Sequence, residues 1–232
     1  MHVNVHAIVL RSERSGEGDR RVVLFTREKG RVAATARGVS KPGSRLAAAV
    51  EPCVESRFRL WLGTDAVRGR ITGGAVAASF PALRGSWNLM GAAQFLCEWT
   101  DRLTGWTHPH PEKYDLLRRA LDAFGRVDER VVRLAFLCQF LDLAGYSAGE
   151  EVLGPLSRPP WDEVVDRLRS YDFESDFPAE DLAPRAEALE DRLLLFVAPL
   201  LDRPLRTHVH GRRLRSYLDG RSPGMVASVK KG

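Results

Sequence analysis

GEGDRRVVLFTREKGRVAATARGVSKPGSRL, residues 16–46, combines a strand pattern, tight turns and closely spaced positive charge, and the rest of the chain is read outward from it. β-Branched and aromatic residues fill residues 20–26 and 31–39, between the turn signals Gly16-Glu17-Gly18 and Lys29-Gly30. That pattern predicts a two-strand hairpin followed by a loop. Cations bracket both strands: Arg20, Arg21, Arg27, Lys29, Arg31, Arg37, Lys41 and Arg45. A solvated strand face mixes signs, so an excess of one sign calls for an anionic partner, and a nucleic-acid backbone fits best.

On the N-terminal side, residues 2–11 alternate as HVNVHAIVLR, the period of a half-buried strand. On the C-terminal side, SRLAAAV suggests a short helical turn, VESRFRLWL (residues 54–62) alternates as a fourth strand, and residues 66–72 supply a fifth that ends at Gly73-Gly74. Five short strands with a helical insertion between the third and fourth is the element order of an OB-fold barrel, although an SH3-like barrel shares the strand count. Single-strand binding needs cations for phosphates and flat side chains for bases. Phe25, Phe58 and Trp61 are the only aromatics among the first 75 residues, and each sits on an alternating strand where core packing is expected. Binding is therefore expected to be backbone-dominated, salt-sensitive and indifferent to sequence.

Near residue 80 the periodicity turns helical. Ser86 reads as an N-cap, Pro111 opens a second helix, and Asp128 caps a third whose text VVRLAFLCQFLDLA is apolar almost all round, the signature of a buried centre. Residues 147–159 read as a loop, a short helix runs from Trp161 through Arg169, and a long one covers residues 184–201. The expected organisation is α+β: a five-stranded OB-fold barrel over residues 1–79, an all-α helical domain over 80–219, and a disordered tail over 220–232.

Charge divides along the same lines. Residues 1–75 carry 14 basic against 7 acidic side chains, residues 76–202 carry 13 against 22, and residues 203–232 carry 8 against 1. Two basic ends flanking an acidic middle suggest different surfaces for different partners. In the tail, Arg206, Arg212, Arg213 and Arg215 form a second basic patch, serving DNA phosphates, an acidic partner such as a protein tail, or the chain's own acidic middle. No apolar run is long enough to span a membrane and no signal peptide is evident, so a cytoplasmic, nucleoid-associated protein is expected.

Catalytic signatures are missing. There is no P-loop and no Gly-x-Ser-x-Gly, and Cys53, Cys97 and Cys138 are dispersed in apolar text as buried hydrophobes. The pairs His108/His110 and His208/His210 lack further ligands at recognised spacing, so no metal, cofactor or enzymatic activity is expected.

The text AIVLRSERSGEGDRRVVLFTREKGRVAATARGVSKPGSRLAAAVEPC (residues 7–53) resembles the RecO family of bacterial recombination mediators. It shares a G-E-x-D turn, L-x-T-x-x-x-G, A-R-G-x-x-K, and S-x-L followed by Pro. Looser similarity continues in LAGY and in RPLRTHVHGRRLRSYL. The resemblance implies an N-terminal OB-fold and a helical domain that bind single- and double-stranded DNA and anneal complementary strands without ATP. It also implies partners: RecR, and the C-terminal tail of the single-stranded DNA-binding protein SSB, with loading of recombinase onto SSB-coated strands in the RecF pathway. The positions implied as phosphate contacts are Arg21, Lys29, Arg31, Arg37, Lys41 and Arg45, to which the hairpin's own charge adds Arg20. Many members carry a four-cysteine zinc module after the central helix. This chain has a short stretch without cysteines there, so no zinc is expected. The residues by themselves also leave open an OB-fold adaptor for acidic proteins and an RNA-binding protein.

Overall fold

The computed structural model describes residues 1–207 apart from 65, 147–149, 160 and 183–184. The expected tail helix and disordered terminus, with Arg212, Arg213, Arg215 and His208/His210, lie outside the described residues.

Five strands form a closed barrel: β1 (His2–Ser15), β2 (Asp19–Thr26), β3 (Gly30–Ala36), β4 (Glu55–Leu62) and β5 (Arg68–Ala78). Their order around the barrel is β1-β2-β3-β5-β4, closed by a short parallel pairing of Ala33–Thr35 with Arg68–Arg70. A 3-10 turn, Ala48–Val50, fills the predicted position between β3 and β4. The inner faces bury Val5, Val9, Val22, Leu24, Val32, Phe58, Leu60, Leu62 and Ile71, and Val39, Ala49 and Val50 join them.

Two strands outrun their expected ends. β1 continues to Ser15 as a ribbon with β2, pairing Arg14 with Arg20 and Ser15 with Asp19. β5 passes through Gly73-Gly74 instead of ending there, because Gly74 serves contact and not termination: Gly73 faces open space, but a Cβ on Gly74 would lie 2.5 Å from Cδ1 of Phe58. The absent side chain lets β5 close over the aromatic core.

The helices follow the capping signals. α1 (Pro81–Arg84) is a single turn; α2 (Trp87–Leu103) starts where Ser86 Oγ accepts from Leu89 N at 3.4 Å, and α3 (Pro111–Ala123) starts on its proline. α4 (Glu129–Leu143), capped by Asp128, packs against α2, α3, α6 (Asp162–Arg169), α7 (Ala179–Leu182) and α8 (Ala186–Val197). The expected loop at 147–159 holds α5 (Glu150–Leu153) and a 3-10 turn, since Val152 and Leu153 have a core to enter. Pro199 gives the last predicted helix a 3-10 ending after Val197.

The outer face of β1 and β2 is apolar as well. Ile8, Leu10, Val23 and Phe25 point away from the barrel interior and belong to one continuous core with Leu96, Trp99, Leu117 and Leu121. Four such side chains contribute about 6–12 kcal/mol as an upper estimate, so this packing outweighs solvent-screened ion pairs at its edge such as Arg27–Asp115. At the seam, buried Glu55 accepts from Tyr114 Oη at 2.9 Å and from Arg118 Nε at 3.1 Å. Burial and the neighbouring carboxylate together push the Tyr114 phenol well above its ordinary range, keeping it a donor. Tyr114→Phe leaves a buried carboxylate one partner short and should lower stability by about 1–3 kcal/mol in urea denaturation; an unchanged midpoint would contradict this role.

Candidate nucleic-acid interface

The hairpin β2–β3 has two ends with different surroundings. Its turn end meets the connection between α2 and α3. Gly30, at φ 69°, lies where a Cβ would sit 2.2 Å from the His108 carbonyl oxygen, so only glycine fits. Arg31 forms an ion pair with Asp101 at 2.9 Å and stacks at 4.0 Å over Trp106. Burial lowers the Arg31 pKa, an effect that Asp101 opposes by charge and hydrogen bond. Arg31, one of the expected phosphate contacts, is thus held as a clasp between barrel and helices, unlike the cations at the other end of the hairpin. Lys29, half-buried in the same turn, also stands at this end. Arg20 is engaged too, paired with Glu51 at 2.9 Å and reaching Ser12 Oγ.

The other end of the hairpin is open. Outward residues form a row that crosses the strands through their registers: Arg21 faces Thr35, Thr35 faces Arg70, Arg70 faces Trp61, and Trp61 faces His2. With neighbouring strands about 4.8 Å apart, the path along this curved wall from Arg21 to Trp61 is roughly 14 Å. Arg37 extends the row beyond the end of β3, and Arg57 and Arg59 continue the positive surface along the exposed side of β4. Lys41 and Arg45 project from the following loop, which is held beside the β1–β2 turn by Ser40 N donating to Gly18 O at 2.9 Å and Gly38 N to Asp19 Oδ1 at 2.7 Å. Among the described residues, Arg21, Arg37, Lys41, Arg45, Arg57, Arg59 and Arg70 have no ion pair. Glu13, which faces Arg21 from β1, is paired with Arg11, so the cations of this surface outnumber the described carboxylates near them and present a field suited to a polyanion.

Four of the expected contacts, Arg21, Arg37, Lys41 and Arg45, thus meet on one rim. Arg57, Arg59, Arg68 and Arg70 join them unanticipated, although ESRFRLWL already marks Arg57 and Arg59 as outward by alternating with Phe58 and Leu60. The same period applies to Trp61, which is exposed while Phe25 and Phe58 are buried as expected.

Of the second basic patch only Arg206 lies among the described residues, and there the backbone makes the contact. The N–H groups of Arg206 and Thr207 donate to Glu98 at 3.0 and 2.9 Å, and Thr207 Oγ1 donates at 2.7 Å. Burial pushes the Glu98 pKa up, but these donors outweigh it and hold the carboxylate below its ordinary range. The Arg206 residue itself remains exposed.

A zinc module does not fit the residues present. Among the described residues no three His, Cys, Asp or Glu side chains converge as metal ligands. Cys53 and Cys97 face each other at 3.7 Å inside the core, and burial pushes the Cys138 thiol up to about 12. None of the described helices is long and apolar enough to cross a membrane.

Residues 1–80 match the family model described as Recombination protein O N terminal, and residues 84–148 match Recombination protein O C terminal. The DNA repair protein RecO of Pelotomaculum thermopropionicum is 36% identical over 140 residues, covering 60% of this chain and 54% of that protein. The namesake protein of Heliobacterium modesticaldum is 34% identical over 140 residues, 60% of this chain and 50% of its own. That of Bifidobacterium animalis subsp. lactis is 33% identical over 146 residues, 61% and 60% respectively. The matched region thus spans between half and 60% of these relatives' length.

The division of the hairpin is measurable through stability alone. Arg31→Ala strands a buried Asp101 and should cost about 3–5 kcal/mol in urea unfolding, whereas Arg37→Ala should stay within about 0.5 kcal/mol. Equal effects would mean that the two ends are not distinct.

Proposed function

Because the chain belongs to the RecO family, we propose that it acts in DNA repair and recombination by binding DNA on the open rim of its barrel. The observation that carries this reading is the outward row Arg21–Thr35–Arg70–Trp61 with Arg37, Lys41 and Arg45 around it and no internal ion pairs among the described residues. Each cation that meets a phosphate releases condensed counterions, so binding is entropically favoured at low salt and weakens steeply as salt rises.

The same physics accounts for strand annealing without ATP. Two complementary strands repel through their phosphates. A surface that neutralises both lets the bases meet, after which pairing itself supplies the driving force. No bond is made or broken by the protein in this scheme. RecR and the SSB tail are the partners in this proposal, with recombinase loading on SSB-coated strands as the outcome. The exposed Arg206 and the basic segment after it are the proposed site for the acidic SSB tail. The acidic helical layer offers a surface of opposite sign for other contacts.

Fluorescence anisotropy with single-stranded DNA tests the core of the reading. Four phosphate contacts predict a log–log salt slope of about −3, or roughly a 50-fold loss between 50 and 200 mM salt. Arg21→Glu with Arg37→Glu should weaken binding by more than about tenfold and abolish annealing of SSB-coated strands. Salt-independent affinity, or preference for RNA in direct competition, would contradict the proposal.

A further inference from the structure

The row across the rim ends on an indole. Trp61 is 44% exposed, turned outward by the alternation that buries Phe58, Leu60 and Leu62. A side chain of this size ordinarily buries roughly 150–250 Å², and none of the described helices covers it. Its register partners are Arg70 on β5 and His2 on β1.

Trp61, Thr35, Arg37, Thr64, Arg68 and Arg70 line a cleft of about 520 Å³ between the end of β3 and the β4–β5 turn. The turn is fixed by Gly63 N donating to Arg68 O at 3.0 Å, and β3 is tied to it by Ala33 N donating to Val67 O at 2.8 Å. A flat apolar wall is thus held by backbone bonds beside two guanidinium groups, Arg37 and Arg70, that have no ion pair among the described residues. The volume falls in the range of small-ligand sites, roughly 300–1,000 Å³.

This combination matches one chemical unit: an unpaired nucleobase attached to a charged backbone. A duplex offers phosphates to the arginines, but its base faces are already stacked on each other and cannot reach an indole. We infer that Trp61 stacks on an unpaired base of a single strand whose flanking phosphates rest on Arg37 and Arg70, so that this cleft distinguishes single-stranded from double-stranded nucleic acid. The inference rests on the DNA-binding reading above and adds to it a single-strand selectivity that the row of charges alone does not supply.

The test compares a single-stranded oligonucleotide, the duplex of the same sequence and an abasic strand of the same length, each titrated against the full chain. Trp61→Ala should weaken single-strand binding by roughly 5- to 100-fold, leave duplex affinity and the salt slope unchanged, and be largely rescued in Trp61→Phe. The unaltered protein should bind the abasic strand as weakly as Trp61→Ala binds the ordinary one, a comparison that needs no substitution. Arg37→Ala with Arg70→Ala should instead weaken both nucleic acids and reduce the single-strand salt slope by about 1.4. Equal losses on single strand and duplex in Trp61→Ala, or no loss on either, would overturn the inference while leaving the rim's phosphate binding intact. An indole that docks a protein would give that second result. Failure of the unaltered protein to bind either DNA would overturn the DNA-binding reading and this inference together.

Discussion

The apolar outer face of β1 and β2 is the constraint on which the rest of the structure depends. A small barrel needs only its inner face buried. Here Ile8, Leu10, Val23 and Phe25 on the outside also require cover, and α2 and α3 supply it. Once that face is covered, the helical layer has one place to sit, and the polar groups at its margin must find partners across the seam. Glu55 with Tyr114 and Arg118, Arg27 with Asp115, and Arg31 with Asp101 meet that demand. These contacts add orientation more than net energy, since buried pairs return much of their attraction as desolvation.

This constraint divides the charge. Cations near the turn end of the hairpin fall under the helical layer, where acidic side chains of α2 and α3 pair with them. Those at the open end meet no acidic helix, and apart from Arg20, which pairs with Glu51, they face solvent. One strand pair therefore does two jobs: Arg31 holds the molecule together, while Arg21 and Arg37 remain available to an external anion. The sign division along the chain has the same origin. Acidic helices complement the basic barrel at the seam, and the surplus positive charge is left on the far rim.

Much of this was legible in the sequence, and what was not has a physical cause. The hairpin, the inserted helical turn, Ser86 and Asp128 as caps, and the buried α4 are local features, written in periodicity and in residues that accept from helix N–H groups. Alternation also separates inward from outward residues on β4, so the exposure of Trp61 was recoverable from its place between Leu60 and Leu62. What alternation cannot show is whether a second layer covers the outside of a strand. Phe25 and Trp61 both point outward; one is buried under Tyr114 and the other is open, and only the placement of α3 separates them. The engagement of Arg31 is hidden from the sequence for the same reason, because its partner Asp101 lies 70 residues away. Gly74 looks like a strand end because a glycine that admits a close contact resembles, in one dimension, one that makes a turn.

The central claim is that helical cover blocks one end of the hairpin and leaves the opposite rim as the nucleic-acid face. Hydrogen–deuterium exchange of the full chain, with and without single-stranded DNA, tests it most directly. The account predicts slower exchange in the loop over residues 37–47 and in the β4–β5 turn over residues 63–67, with no change over residues 104–110 beside Arg31. Slowing confined to residues 104–110 or to α2–α4, with the rim loops unaffected, would contradict it.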